Sequence, residues 1–404
     1  MNDREINNIH NNRNNNSQIN TKVGDGKGND EKDKPIINLW SPATLPLSSS
    51  SSSSSSTRNN KLLDKYNRNH NYVRISLTDK CNLRCTYCMP EEGIQLTRKE
   101  ELLKDTEILK IVSVLSSQLP PSTMKIRLTG GEPLLYPRLP SLLTSINTLH
   151  TPSSIGITTN AILLDKRWED LKDLLTSVNV SLDTLDEKKF QMLTRRTGLS
   201  KVLRGIERTE GWDGKVKLNC VVMKGFNDDK EDFKQFLEFQ RDMGYRFDVR
   251  FIEWMPFDGT SWGENFVSAG TMMDRIKEGM GKELEGVGSE DRNDTTKWYK
   301  LAGDEGEREG GGGRIGFITS MSDNFCATCN RIRITSDGSL KVCLFDGTEV
   351  SVRDAIRDGV GDEDLARIFR GALGEKKFKF GGAEDMQELA ERVKGNRHMT
   401  AIGG

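Results

Sequence analysis

The sequence predicts an α/β fold in which six strand-plus-helix units form a parallel sheet that closes partway toward a barrel, followed by a less regular C-terminal extension. Three observations point there. From Tyr72 onward, short apolar runs alternate with stretches of helical periodicity. The strand-plus-helix units recur at roughly 25 to 40 residues, the spacing of a crossover between parallel strands. A chain of 404 residues with 34% hydrophobic and 29% charged residues is also long enough to bury a large core.

The strands are expected at Val73–Leu77, Lys125–Thr129, Ser154–Thr159, Val178–Leu182, Val216–Met223 and Asp248–Ile252. Helices are expected between them at Thr106–Ser117, Asp165–Leu175, Leu199–Thr209 and Lys230–Met243, the last stopping at Gly244. Six units fall short of the eight of a full barrel. Three regions follow: 1–70, 71–257 and 258–404. The first carries an asparagine run and the unbroken serine run Ser48–Ser56, a composition that cannot offset chain entropy, so it is expected to be a disordered leader. An organelle-targeting leader is the other reading, but acidic residues fall among the first thirty positions and no Arg-rich amphipathic helix is present. Residues 286–313 are rich in Gly, Asp and Glu. The run Gly310–Gly313 lacks the Gly-Lys-Ser/Thr of a phosphate loop, so a flexible surface insertion is expected there.

Net charge is −1, so any anion site must be a local cluster of basic residues. No apolar run reaches the roughly eighteen residues of a spanning helix, and no membrane partner is expected. Six of the seven cysteines fall in two tight groups, unlike a secreted disulfide framework. Cys220, in the apolar run Val216–Met223, reads as a buried core residue.

The first group is Cys81, Cys85 and Cys88, spaced C-x3-C-x2-C directly after a strand. Four thiolates normally complete a 4Fe–4S cluster, so three leave one iron open to an exchangeable ligand. Structural zinc would want four ligands, and no nearby histidine supplies one. The second group, Cys326, Cys329 and Cys343, has spacing C-x2-C-x13-C and again leaves one position open. Arg331 and Arg333 alternate with Ile332 and Ile334, so both guanidinium groups should share one strand face. That face is either solvated or, beside a cluster, a clamp for phosphates or a planar heterocycle.

The triplet Cys81–Cys88 resembles the radical S-adenosylmethionine (SAM) signature, and Arg127-Leu-Thr-Gly-Gly-Glu-Pro133 resembles that superfamily's Gly-Gly-Glu motif. The resemblance implies that the open iron chelates SAM, with Tyr87, Gly130, Gly131, Glu132, Ser181 and Met255 forming its pocket. From residues alone, Ser181 and Met255 would pass as strand-end packing. Arg-Ile-Ser-Leu-Thr-Asp-Lys-Cys81, Cys-Asn-Arg-Ile-Arg333 and the terminal Met399-Thr-Ala-Ile-Gly-Gly404 further resemble the GTP 3′,8-cyclase family, the molybdenum cofactor biosynthesis protein A family. The similarity runs from about Tyr72 to Gly404, and Ala161 stands where that family usually has Gly.

The resemblance implies GTP contacts from Arg74, Arg127, Thr158, Lys217, Arg331, Ile332 and Arg333, with Arg331, Arg333, Gly403 and Gly404 assisting catalysis. It implies two 4Fe–4S clusters and SAM as cofactors. Hydrogen abstraction from C3′ of GTP, addition to C8 and one-electron reduction would give (8S)-3′,8-cyclo-7,8-dihydroguanosine 5′-triphosphate. It implies an external electron donor, a downstream cyclic pyranopterin monophosphate synthase as a separate protein, a homodimer, and the mitochondrial matrix (otherwise the cytoplasm). Two other readings remain open at the level of sequence. One is a radical SAM peptide-modifying maturase. The other is a non-catalytic zinc module recognising nucleotide or RNA, against which aromatic stacking positions are sparse near Arg331 and Arg333.

Overall fold

The structure, a computed structural model, describes residues 62–149, 152–257, 262–289, 291–303 and 313–403, all within one compact unit. The six expected strands form as β1 (Tyr72–Ser76), β2 (Met124–Thr129), β3 (Pro152–Thr159), β4 (Ser177–Ser181), β5 (Lys215–Val222) and β6 (Phe247–Glu253). Six helices accompany them: α1 (Asp105–Ser117), α2 (Leu139–Thr148), α3 (Leu164–Leu171), α4 (Glu187–Thr194), α5 (Leu199–Glu207) and α6 (Lys230–Asp242). The short α2 and α4 were not expected from periodicity.

The C-terminal part adds β7 (Leu284–Val287), β8 (Lys297–Leu301), β9 (Ile315–Ile318), β10 (Arg331–Ile334), β11 (Ser339–Lys341) and β12 (Val350–Ser351). All lie in one sheet of order β12-β11-β10-β1-β2-β3-β4-β5-β6-β9-β8-β7, whose end strands do not pair with each other. The run from β10 through β1 to β6 and on to β9 is parallel. The extension thus adds a parallel strand to each edge of the six-stranded sheet, and the partial barrel and the C-terminal region share one hydrogen-bonded layer.

Strand alternation separates two faces. Val73, Ile75, Ile126, Leu128, Ile157, Val178, Val180, Leu218 and Val249 are buried in a core shared with the buried sides of α1, α2, α3, α5 and α6. The intervening positions carry polar and basic groups, Arg74, Arg127, Thr158, Asn179, Lys217, Asn219 and Arg250, inside the curve of the sheet.

Two expectations require correction. The leader was expected to be disordered to about residue 70, and residues 1–61 lie outside the described residues. Leu62 and His70, however, are fully buried, Leu63 bridges Asn69, and Arg68 pairs with Asp64 at 2.6 Å. A few anchoring side chains, diluted in a polar composition, are enough to hold this segment. The insertion 286–313 was expected to be flexible, yet β7 and β8 form an antiparallel pair that continues the sheet through β9. Trp298 at its centre is buried, and Arg314 lies over its ring at 4.2 Å. Residues 304–312 lie outside the described residues.

At Ala161, where the resemblance calls for Gly, the backbone adopts φ +60° in a fully buried site. Its amide donates to Thr159 Oγ1 at 3.0 Å, which helps hold a left-handed conformation that disfavours a Cβ.

Phe251 on β6 packs edge-on against Phe233 and Phe236 of α6, at 4.9 and 5.9 Å, and tilted against Phe317 of β9 at 6.0 Å. Phe251→Ala is expected to cost about 3–5 kcal/mol, read as a lowered denaturant midpoint with the m-value unchanged.

Candidate active site

The inner face of the sheet encloses a cavity of about 280 Å³. Parallel register sets its floor, because Arg333 of β10 stands beside Arg74 of β1, which stands beside Arg127 of β2. One step further along, Thr158, Asn179 and Lys217 are neighbours on β3, β4 and β5, and Asn219 is opposite Arg250. Side chains of cross-strand partners share a face, so these cations converge.

Burial pulls Arg74 down to about 9 and Arg250 to about 10, with the Arg127 charge adding to each; burial and Arg250 bring Lys217 to about 8. Some of the guanidinium protons are held. Arg127 donates to the Tyr72 hydroxyl at 3.2 Å and the Ile157 carbonyl at 2.9 Å, and Arg250 donates to Asn219 Oδ1 at 2.6 and 2.9 Å. Arg331 lies over the rings of Tyr72 and Phe325 and donates to Thr295 Oγ1. Lys217 stands 5.3 Å above the Trp298 ring. Other polar atoms, among them Arg331 Nη1, Arg333 Nε, Thr158 Oγ1, Asn179 Oδ1 and Thr400 Oγ1, are buried without a hydrogen-bond partner among the described residues. Buried cations with unused donors are costly unless an anion neutralises them.

The two cysteine groups flank this floor. Cys81, Cys85 and Cys88 follow the C-terminal end of β1 and line the cavity together with Tyr87, Gly130, Gly131, Ser181 and Met255. Cys326 and Cys329 immediately precede β10, whose Arg331 pairs with Tyr72 at the start of β1. The two groups are therefore carried toward opposite ends of β1, a five-residue strand about 16 Å long. The second triplet does not line the cavity itself, but its neighbours Phe325, Arg331 and Leu344 do.

The glycines hold the first cysteine loop by contact. A Cβ on Gly130 would lie 2.4 Å from the Thr78 carbonyl oxygen, and one on Gly131 would lie 2.3 Å from that of Lys80. The loop's other side rests on the end of α4. Arg84 and Thr86 donate backbone N–H to Thr194 and Leu193, while Arg195 donates to the carbonyls of Arg84 and Met89. Tyr87 donates to Asp183 at 2.7 Å, and Asp183 also accepts from the Val221 amide; burial raises that carboxyl to about 6.

Glu132 stands behind the cavity wall. Its oxygens accept from Leu134 N, Thr159 Oγ1 and Asn160 N, and burial raises it to about 7. It thereby shapes the turn that presents Asn160 to the cavity. Ile332 is fully buried on the opposite face of β10, so only its backbone faces the arginines. Gly403 arrives from the C-terminal segment, where its carbonyl accepts from Arg74 at 3.0 Å. A Cβ there would sit 2.0 Å from Thr129 Oγ1, and φ is +70°. Gly404 lies outside the described residues. Cys220 is buried in the core, as expected.

Sequence reasoning missed Arg250, Asn179, Asn219, Tyr72, Asn160 and Thr295, all lining the cavity. The inward parity shared with Arg74 and Lys217 was the signal available for the strand residues among them. It also missed Lys376 beside the second group.

A radical SAM superfamily model matches residues 75–239, and a Molybdenum Cofactor Synthesis C model matches residues 247–381. The barrel and the first triplet are thus of the radical SAM class. Human molybdenum cofactor biosynthesis protein 1 is 44% identical over 335 residues, covering 82% of this chain and 50% of that protein. GTP 3′,8-cyclase, mitochondrial, of Arabidopsis thaliana is 41% identical over 348 residues, 85% of this chain and 83% of that protein. GTP 3′,8-cyclase of Listeria monocytogenes is 38% identical over 348 residues, 85% of this chain and 99% of that protein. The chain belongs to the GTP 3′,8-cyclase family of molybdenum cofactor biosynthesis within the radical SAM superfamily. It spans about half the length of the molybdenum cofactor biosynthesis protein 1 relatives it matches.

Membership brings 4Fe–4S clusters and SAM as cofactors, and the donor chemistry fits them. Each cysteine group is a set of three free thiols. Among the described residues, no three His, Cys, Asp or Glu side chains are gathered at single-ion spacing. Burial pushes the thiols of Cys81, Cys85 and Cys88 up, and that of Cys326 to about 11. Burial would raise Cys329 as well, but Lys376 and Arg331 beside it bring it down to about 6.

In the metal-free chain, Cys329 is therefore expected to alkylate before Cys81, Cys85, Cys88 and Cys326, at a rate rising through about pH 6 as the thiolate forms. Mass mapping of iodoacetamide adducts across pH 5–9 checks this. The expectation fails if Cys329 labels no faster than the first triplet.

Proposed function

We propose that this chain is a radical SAM GTP 3′,8-cyclase, a lyase acting in the first step of molybdenum cofactor biosynthesis. One observation carries the reading: Arg74, Arg250, Arg331 and Arg333 line one cavity together with Cys81, Cys85 and Cys88, and Arg127 and Lys217 stand beside its lining residues Arg74 and Asn179, in a chain of net charge −1. Such a site is matched to a compact polyanion, and a nucleoside triphosphate supplies both that charge and a heterocycle. In this reading, residues 71–257 hold the first cluster, SAM and the GTP contacts Arg74, Arg127, Thr158 and Lys217, and residues 258–404 hold the second cluster and the GTP contacts Arg331, Ile332 and Arg333.

When bound, the first cluster and SAM supply a 5′-deoxyadenosyl radical that takes a hydrogen atom from the substrate. The chain's own groups do the rest. Arg74, Arg127 and Lys217, with Thr158 beside them, would hold the triphosphate by charge-assisted hydrogen bonds. Arg331 and Arg333, rising from the strand that follows Cys329, would fix the guanine near the second group and so aim the ribose at the first, a positioning effect. Gly130 and Gly131 hold the first cysteine loop in place, Tyr87 and Asp183 wall the SAM side, and Gly403 presses the C-terminal tail onto Arg74. Gly404 belongs with that tail in the proposal, as do Ser181 and Met255 with the SAM pocket.

The proposal includes an external one-electron donor, a downstream cyclic pyranopterin monophosphate synthase that consumes the product, and a homodimer. It also places the chain in the mitochondrial matrix, with support from the name of the Arabidopsis relative. Among the described residues, no helix is long and apolar enough to cross a membrane.

Anaerobic reconstitution followed by metal counting tests the reading. About eight irons per chain and 5′-deoxyadenosine release that depends on GTP are expected with dithionite and SAM. SAM cleavage indifferent to GTP would favour a peptide-modifying maturase, and zinc without iron would sink both enzyme readings. Within the cyclase reading, Arg333→Ala is expected to lower kcat/KM for GTP by about 10- to 100-fold, the scale of a lost charged hydrogen bond. Gly403→Ala should lower kcat by up to roughly 100-fold through displacement of the tail, with Tm nearly unchanged.

A further inference from the structure

Lys376, just past the helix Asp362–Gly374, is 2% exposed and approaches the second cysteine group from behind. Its ammonium has three protons and three partners: His70 Nε2 at 2.9 Å, the Arg331 carbonyl at 3.0 Å and Cys329 Sγ at 3.5 Å. The ammonium only donates, so His70 accepts through Nε2, and the fully buried imidazole fixes the direction of the lysine. The same N-terminal segment ties down the neighbouring backbone. Arg68, held by Asp64 at 2.6 Å, donates to the carbonyls of Cys326, Lys377 and Phe378. A buried ammonium needs an anion, and the thiolate of Cys329 is the one it touches.

We infer that Lys376 is a positioning residue of the second cluster, oriented by His70, that raises the cluster's reduction potential by hydrogen bonding to the Cys329 sulfur and sets the height of Arg331 through its carbonyl. The inference rests on the second-cluster part of the function proposed above. Reduction adds negative charge to a cluster, and a cation donating to a ligating sulfur stabilises the reduced form more than the oxidised one. The grip on the Arg331 carbonyl links the same ammonium to the strand that carries Arg331 and Arg333.

The test is an EPR-monitored redox titration of the reconstituted full chain, with the second cluster identified in a parallel preparation whose Cys81, Cys85 and Cys88 are replaced by Ser. Lys376→Met keeps the length and removes the donor. It is expected to shift the second cluster's reduction equilibrium at least tenfold toward the oxidised form, about 59 mV for one electron, while the first cluster's potential stays where it was. An unshifted potential with full iron content overturns the inference. A wild-type chain that takes no cluster at Cys326, Cys329 and Cys343 fails the function proposal instead, and metal counting tells the two failures apart. Should Lys376→Met lose the second cluster, His70→Leu and His70→Gln decide. Leucine cannot accept from the ammonium and should lower the potential, whereas the glutamine oxygen can accept and should restore it. Equal potentials in wild type and both His70 variants also overturn the inference.

Discussion

Parallel register along β10, β1 and β2 places Arg333, Arg74 and Arg127 at one height on the inner face of the sheet, and the rest of the site is arranged around that row. Three guanidinium groups side by side repel, and burial removes the water that would screen them. The protein tolerates them because the opposite face of the same strands is a continuous apolar core against the helices. Local acceptors, the Tyr72 hydroxyl, the Ile157 carbonyl and the Gly403 carbonyl, take some of the protons. The buried positive charge that remains suits an anionic ligand.

The two cysteine groups acquire their relation from the same pairing. They are more than two hundred residues apart in sequence, one after β1 and the other with Cys326 and Cys329 just before β10 and Cys343 just after β11. Because β1 and β10 are parallel neighbours, those positions lie toward opposite ends of one strand pair, with Arg74 and Arg333 side by side between them. A C-terminal region packed as a separate body could not produce this. Adding a strand to each edge of the six-stranded sheet makes the extension part of the site's wall.

Each cysteine group is also braced from outside the cavity, by different means. The first loop is clamped between two glycines, whose missing Cβ atoms allow backbone contact with Thr78 and Lys80, and the end of α4 with Arg195. The second is held by long-range polar contacts, with Arg68 reaching the Cys326 carbonyl and Lys376 reaching Cys329. A loop fastened by shape and a loop fastened by charge answer differently to substitution, since steric clamps tolerate only small residues whereas charged ties require particular donors.

Much was determined by sequence alone. Cysteine spacing gave the metal chemistry, period-2 and period-3.6 patterning gave the six strands and four of the helices within a few residues, and motif resemblance gave the family. Tertiary structure alone decided which face of each strand is wet. An alternation such as Lys217-Leu218-Asn219 reads the same whether its polar side meets solvent or a closed cavity, so Arg250 and Asn219 stayed invisible until curvature turned that side inward. It also decided the role of isolated residues in unpromising surroundings. His70 and Arg68, next to a polar leader, and Lys376, in a helical tail, become partners of the second cysteine group only when residues some three hundred positions apart meet. Sequence patterning reports local periodicity, and such contacts leave no periodic trace.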